Sequence, residues 1–271
     1  MNLKPEHILV LGNGFDLNLG LKTSYGDFLD SEQFQLLLYQ GNDLALHLAN
    51  RHKEANWIDI ENELKRYSEK DQIHAFETEY YALCNALMEY LGTLDYTMRE
   101  HSKAMELIEK YRYENFVILD FNYTKTTQIL MEDMNFKFSE IKERIVKIHG
   151  SAKTKDIIFG VEDGATIRRE HVFLKKSFHP TFQATNLRSI FKEATSLSFF
   201  GHSLGQTDYM YFKDYFSAAA SGYEKCNMEF FYYGMEGYKN MFMELDEMTI
   251  HNLSGFRQHN QVTFTNSYHD K

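Results

Sequence analysis

The chain has 271 residues, a formal charge of −10, 43% hydrophobic and 15% aromatic residues. That is enough apolar chain for one large α/β domain over 1–271, alone or with an inserted subdomain, and it excludes a disordered protein. The acidic balance argues against a broad electrostatic footprint for DNA or RNA, so nucleic acid is not the expected partner.

In chain order, Ile8 to Leu11 form a short apolar run of the kind that makes a strand buried on both faces, and the run breaks at Gly12-Asn13-Gly14. A strand feeding a glycine loop predicts either a ligand cradle or a tight turn. Glycines let the backbone approach a ligand closely, and the amides of Asn13 to Asp16 would suit a phosphate if a helix starts there.

From 27 to 112 apolar residues recur at three- and four-residue steps among charged ones, which predicts a helical insertion whose aromatic residues mostly pack its interior. Trp57, Asp59 and Glu61 fall on this insertion. On a helix, positions 59 and 61 point in different directions, which argues against a shared carboxylate site. Beyond Arg112 come short apolar runs: Phe116–Leu119, Ile145–Ile148, Ile157–Phe159, Leu197–Phe200, Met228–Tyr232 and Val262–Phe264. Strands alternating with helices predict a mainly parallel sheet of Rossmann type with helices on both faces.

Ligands bind outside the carboxyl ends of such strands, so the residues after each run are the candidates for chemistry. They are Gly12 to Asp16, Asn122-Tyr123-Thr124, His149-Gly150, and Gly201-His202-Ser203-Leu204-Gly205 with Asp208. One reading takes Gly201 to Gly205 as the GxSxG elbow of a serine hydrolase, with Ser203 as nucleophile and Asp246 and His251 or His259 downstream. The plainer readings make Asn122 a turn or helix cap and His149 a buried, hydrogen-bonded histidine.

A second reading joins more of the loops. GNGFDLNLGLKTSYGDF, Trp57 to Glu61, FNYT, IHG and FFGHSLGQTDYMYF, in that order, resemble the signature blocks of the bacterial AbiH family of abortive-infection proteins. That family in turn resembles the sirtuin-like NAD-binding proteins. The resemblance implies phage defence by binding and hydrolysing NAD or a related nucleotide. It makes Asn122 and His149 catalytic, His149 as general base. It assigns Gly12, Asn13, Gly14, Phe15, Asp16, Thr23, Tyr25, Gly201, His202, Ser203 and Asp208 to nucleotide binding. Asn122-Tyr123-Thr124 stands where sirtuins have Asn-x-Asp, and their zinc ribbon is missing, so simple hydrolysis is expected and not lysine deacetylation. A non-catalytic nucleotide sensor is the third alternative.

Cys84 and Cys226 form no CxxC, and the histidines make no HExxH, so no disulfide framework, permanent cofactor or metal is expected. No apolar run reaches the roughly 18 residues that span a bilayer, and Pro5 and Glu6 stand where a signal peptide needs its apolar segment, which predicts a cytoplasmic protein. Homo-oligomerisation and a phage trigger are left open by the sequence.

Overall fold

In the computed structural model, which describes residues 4–55, 59–70, 75–182 and 187–268, six strands form one sheet. They are β1 (His7–Leu11), β2 (Phe116–Asp120), β3 (Ile145–Lys147), β4 (Ser196–Phe200), β5 (Asn227–Tyr232) and β6 (Gln261–Asn266). Their order is β3-β2-β1-β4-β5-β6 and every pairing is parallel. This is a Rossmann-type α/β fold. The expected sheet is thus wholly parallel, with one correction: Ile157–Phe159 lies in irregular chain. Ile157 and Phe159 are buried among helices that lie between β1 and β2 in the chain, where a short apolar run is satisfied without a ladder.

The strand interiors are apolar throughout because both faces are covered. Ile8 and Val10 on β1, with Leu197 and Phe199 on β4, share one cluster with Phe212, Phe216, Leu245 and Phe256; Leu9, Leu11 and Phe200 share the other with Phe15, Leu107 and Leu130. Burying each such side chain contributes about 1.5–3 kcal/mol.

After β1 the chain makes α1 (Asn13–Asn18), then α2 (Tyr25–Leu29), α3 (Glu32–Tyr39), α4 (Asp43–Ala55), α5 (Ile60–Ser68) and α6 (Phe76–Gly92). Ser24 opens α2 with a capping box, its hydroxyl accepting from Asp27 N while Asp27 accepts from Ser24 N, both at 3.0 Å. Helices α2 to α6 build a third cluster, completed by Ile157, Phe159, Phe173 and Leu174. Next, α7 (Lys103–Lys110) returns to the sheet, burying Leu107 and Ile108 beside Leu9 and Ile118. The remaining helices are α8 (Thr126–Asp133), α9 (Phe138–Arg144), α10 (Leu187–Glu193), α11 (Tyr209–Ala220), α12 (Gly234–Met248) and α13 (Leu253–His259). No helix among the described residues is long and apolar enough to cross a membrane. Trp57 lies outside the described residues.

Because β2 lies on one side of β1 and β5 lies beyond β4 on the other, the connections that leave β1 and β4 run toward opposite ends of the sheet, which leaves a crevice at the carboxyl edge.

Candidate functional site

Two glycine loops meet at that crevice, and they are fitted to each other. Gly12 N donates to Phe200 O and Gly14 N to Gly201 O, both at 3.0 Å, and Phe15 N donates to Gly12 O at 2.9 Å. A methyl group on Gly12 would lie 2.6 Å from His202 Cα, and one on Gly14 2.6 Å from Gly201 Cα. Gly201 has φ +66° and faces the Gly14–Phe15 backbone, so a side chain there meets both strain and a backbone clash. Of the amides expected to hold phosphate, those of Gly14 and Phe15 therefore already have acceptors. The Phe15 ring points into the core, edge-on to Phe200 at 5.6 Å, and Gly14 is covered by the second loop, so neither lines the crevice.

The crevice is a cavity of about 440 Å³. Gly12, Asn13, Asp16, Thr23, Tyr25, Asn122, His149, Gly201, His202, Ser203 and Asp208 all reach its wall, as do Asp59 and Glu61.

On its β1–β2 side, Asp16 is fully buried. Its carboxylate accepts from Thr124 Oγ1 at 2.6 Å and from Asn122 Nδ2 at 3.3 Å. Burial pushes the Asp16 carboxyl up to about 7, against the hydrogen bond from Thr124. Asn122 Nδ2 also donates to Gly12 O at 3.1 Å, so this side chain ties the first loop to the second strand end. From beneath, Lys147 Nζ holds Asp120 Oδ2 at 2.7 Å and the carbonyls of Asn122 and Thr124 at 3.0 and 2.5 Å.

On its β4 side, Asp208 ends a single 3₁₀ turn (Gln206–Asp208) just before α11 and gathers three partners. Oδ1 lies 2.9 Å from Lys176 Nζ and 3.1 Å from His149 Nε2, and Oδ2 lies 3.3 Å from His202 Nε2. The His149 contact is within ion-pair range but off the line of a hydrogen bond. Leu204 N donates to His202 Nδ1 at 3.0 Å, which leaves Nε2 as the ring's donor toward Asp208. Lys176 is buried; its ammonium also touches Glu61 Oε2 and the Thr207 carbonyl, each at 3.2 Å.

Burial alone would raise Asp208; Lys176 and then His149 instead drive its carboxyl well below the usual range. Glu61 moves oppositely, burial pushing it up to about 7 against the pull of Lys176. The two carboxyls share one ammonium, and Asp208 adds two imidazoles while Glu61 does not; that asymmetry decides which one ionises first. Burial lowers His149, Lys176 adds to the effect and Asp208 opposes it, so the imidazole is held neutral near pH 7. Burial also lowers Lys176, but Asp208 and Glu61 more than reverse this and keep it charged.

Lys176 and Glu61 are the functional candidates that sequence reading passed over or set aside. Asp59 is not inside a helix. It caps α5 in an extended conformation (φ −99°, ψ 100°), accepting from Asn62 N at 3.2 Å, so the rule separating positions 59 and 61 does not apply and both line the cavity. For Lys176 the only local sign is a lysine embedded between Phe173-Leu174 and Phe178.

The proposed serine triad does not assemble. Ser203 is exposed at the carboxyl edge, its Oγ accepting from Gly205 N at 3.3 Å. Asp246 and His251 pair with each other at 2.7 Å after α12 has run back toward the amino edge, and His259 packs against Gly222 beyond α11 at that same edge. Among the described residues, the one group with metal-ligand spacing is Glu6, His7 and Glu114. It too lies at the amino edge, where His7 Nδ1 is hydrogen-bonded to Ser196 Oγ at 2.7 Å.

Fold and site together define a Rossmann-type α/β protein with a cavity at the switch point of its sheet whose largely apolar wall carries several ionisable groups. The model of the bacteriophage abortive infection AbiH family matches residues 8–232. The chain belongs to that family, which ties it to abortive infection. Comparisons with curated proteins and with solved structures return no match.

Proposed function

We propose that this protein acts in abortive infection by binding NAD or a related nucleotide in the switch-point cavity, in a sirtuin-like manner, and hydrolysing its nicotinamide–ribose bond. The observation that carries this is the His149–Asp208 pair: a neutral imidazole 3.1 Å from an ionised carboxylate, both on the cavity wall. Such a pair suits removal of a proton from water at neutral pH.

In the reaction, water oxygen bonds to ribose C1′ as the C1′–N bond breaks. The bonding pair returns to the pyridinium nitrogen, so nicotinamide leaves neutral and no general acid is required. The proton from water passes to His149, whose charged form Asp208 stabilises. The transition state resembles an oxocarbenium ion, and the ionised carboxylate of Asp208 offsets its charge. Asn122 acts as a positioning residue through its bonds to Gly12 and Asp16. Lys176 keeps Asp208 ionised and in place.

The test is chromatographic product analysis after incubation with NAD and, separately, ATP. Wild type is expected to release nicotinamide from NAD, with Asp208→Asn and His149→Gln slower by about 100-fold or more. Saturable NAD binding with no product under any oligomeric or phage-lysate condition would leave a nucleotide sensor and sink the hydrolase.

A further inference from the structure

Four carboxyl groups line the cavity, those of Asp16, Asp59, Glu61 and Asp208, while none of its described lining residues is a lysine or arginine. The nearest buried ammonium, Lys176, does not reach the cavity wall and is bound by Glu61 and Asp208. Phosphate is poorly served here. The amides of Gly12, Gly14 and Phe15 already donate to carbonyls, and α1 is six residues long, too short for a strong dipole.

Aromatic rings complete the wall. Tyr25 and Tyr123 line it together with the acidic groups, and burial, followed by the charge of Glu61, pushes both hydroxyls up. Phe121 stands edge-on to His149 and His202, at 5.1 and 4.5 Å. Acidic and aromatic side chains around one cavity form an environment that suits a cation, because a bound positive charge would favour the ionised forms of Asp16 and Glu61 that burial opposes. A metal ion fits less well, because no three of these cavity groups bring ligand atoms within 4.8 Å of one another.

We propose that the cavity selects a positively charged heterocycle, the pyridinium riboside end of an oxidised nicotinamide nucleotide, and leaves the phosphates outside. This rests on the reading of a nicotinamide nucleotide as substrate and adds which end enters and why. Oxidised and reduced nicotinamide rings are nearly the same shape and differ by one unit of charge, so the pair isolates the electrostatic contribution.

The experiment is calorimetric titration of the full chain at fixed ionic strength with NAD⁺ and NADH, nicotinamide riboside and nicotinamide mononucleotide, and 1-methylnicotinamide and nicotinamide. The charged member of each redox or methylation pair is expected to bind at least about tenfold tighter, and the riboside at least as tightly as the mononucleotide. Asp59→Asn, which keeps a residue able to cap α5, is expected to narrow the charged-to-neutral ratio. Equal binding of NAD⁺ and NADH, competition by inorganic pyrophosphate, or no binding of any cationic probe would overturn the proposal. Charge discrimination without nicotinamide release would sink the hydrolase reading alone. Nicotinamide release without discrimination would sink the cation proposal alone.

Discussion

Two His–Asp pairs in this molecule look alike on paper and differ in nearly every physical respect. His251 and Asp246 are five residues apart, contact at 2.7 Å and stand in solvent. His149 and Asp208 come from segments far apart in the chain and approach to 3.1 Å, the imidazole buried and the carboxylate half-buried. In the exposed pair the hydrogen bond that His251 donates to Asp246 raises the histidine; in the other, desolvation and Lys176 lower it despite the carboxylate. A short contact is therefore not what marks a reactive pair. What sets the proposed pair apart is a third charge on Lys176, burial of the imidazole and the cavity beside it.

The largest effect that would break this comparison is at Lys176. Lys176→Met leaves Glu61 and Asp208 without their shared ammonium, and denaturant unfolding is expected to show a loss of about 3–5 kcal/mol. A near-neutral result would mean that water already screens the cluster.

Next comes activity. Asp208→Asn is expected to lower nicotinamide release by about 100-fold or more, whereas Asp246→Asn, at the other pair, leaves it unchanged. Equal losses from both would erase the distinction between the pairs. A fluorophosphonate probe is expected to leave Ser203 unlabelled, because neither Asp246 nor His251 reaches that edge of the sheet; labelling in folded protein would restore the serine hydrolase.

The pH dependence of stability sharpens the contrast further. An acid whose folded pKa lies above its unfolded value binds its proton more tightly when folded. With Asp16 moved from 3.8 to about 7, its contribution is complete below pH 3.8 and lost as pH rises to about 7. Across that window wild type is expected to lose stability relative to Asp16→Asn, by up to about 1 kcal/mol per pH unit, in urea titrations at several pH values. The histidines carry opposite signs. His149 contributes above the ordinary histidine range and loses this as pH falls; His251 contributes below that range and loses it as pH rises.

The smallest effect is at the exposed pair. His251→Ala is expected to leave the melting temperature unchanged within error, as for most solvent-facing ion pairs.

Local patterning alone determined much of this protein. The apolar runs at β1, β2, β4 and β5 declare strands buried on both faces, and the residues after them are bound to share one edge once those strands run parallel. That placed Asp16, Asn122, His149, His202 and Asp208 near a common crevice. The same logic failed at Ile157–Phe159, because an apolar run reports burial and not which element does the burying. It failed at Asp59 too, where a cap conformation replaced the assumed helix.

Only the tertiary structure decided the charges. Lys176 opens a three-residue 3₁₀ turn (Lys176–Phe178), too short for a period to read, and it reaches Glu61 on α5 and Asp208 before α11 because three separate segments converge. Likewise Gly12 and Gly14 read as a ligand cradle or a tight turn, and only the fold shows them packed against Gly201 and His202. Strands follow from the repeat of side chains along a few residues; ionisation states and cavity walls depend on what distant segments bring within a few ångströms, and no local pattern encodes that distance.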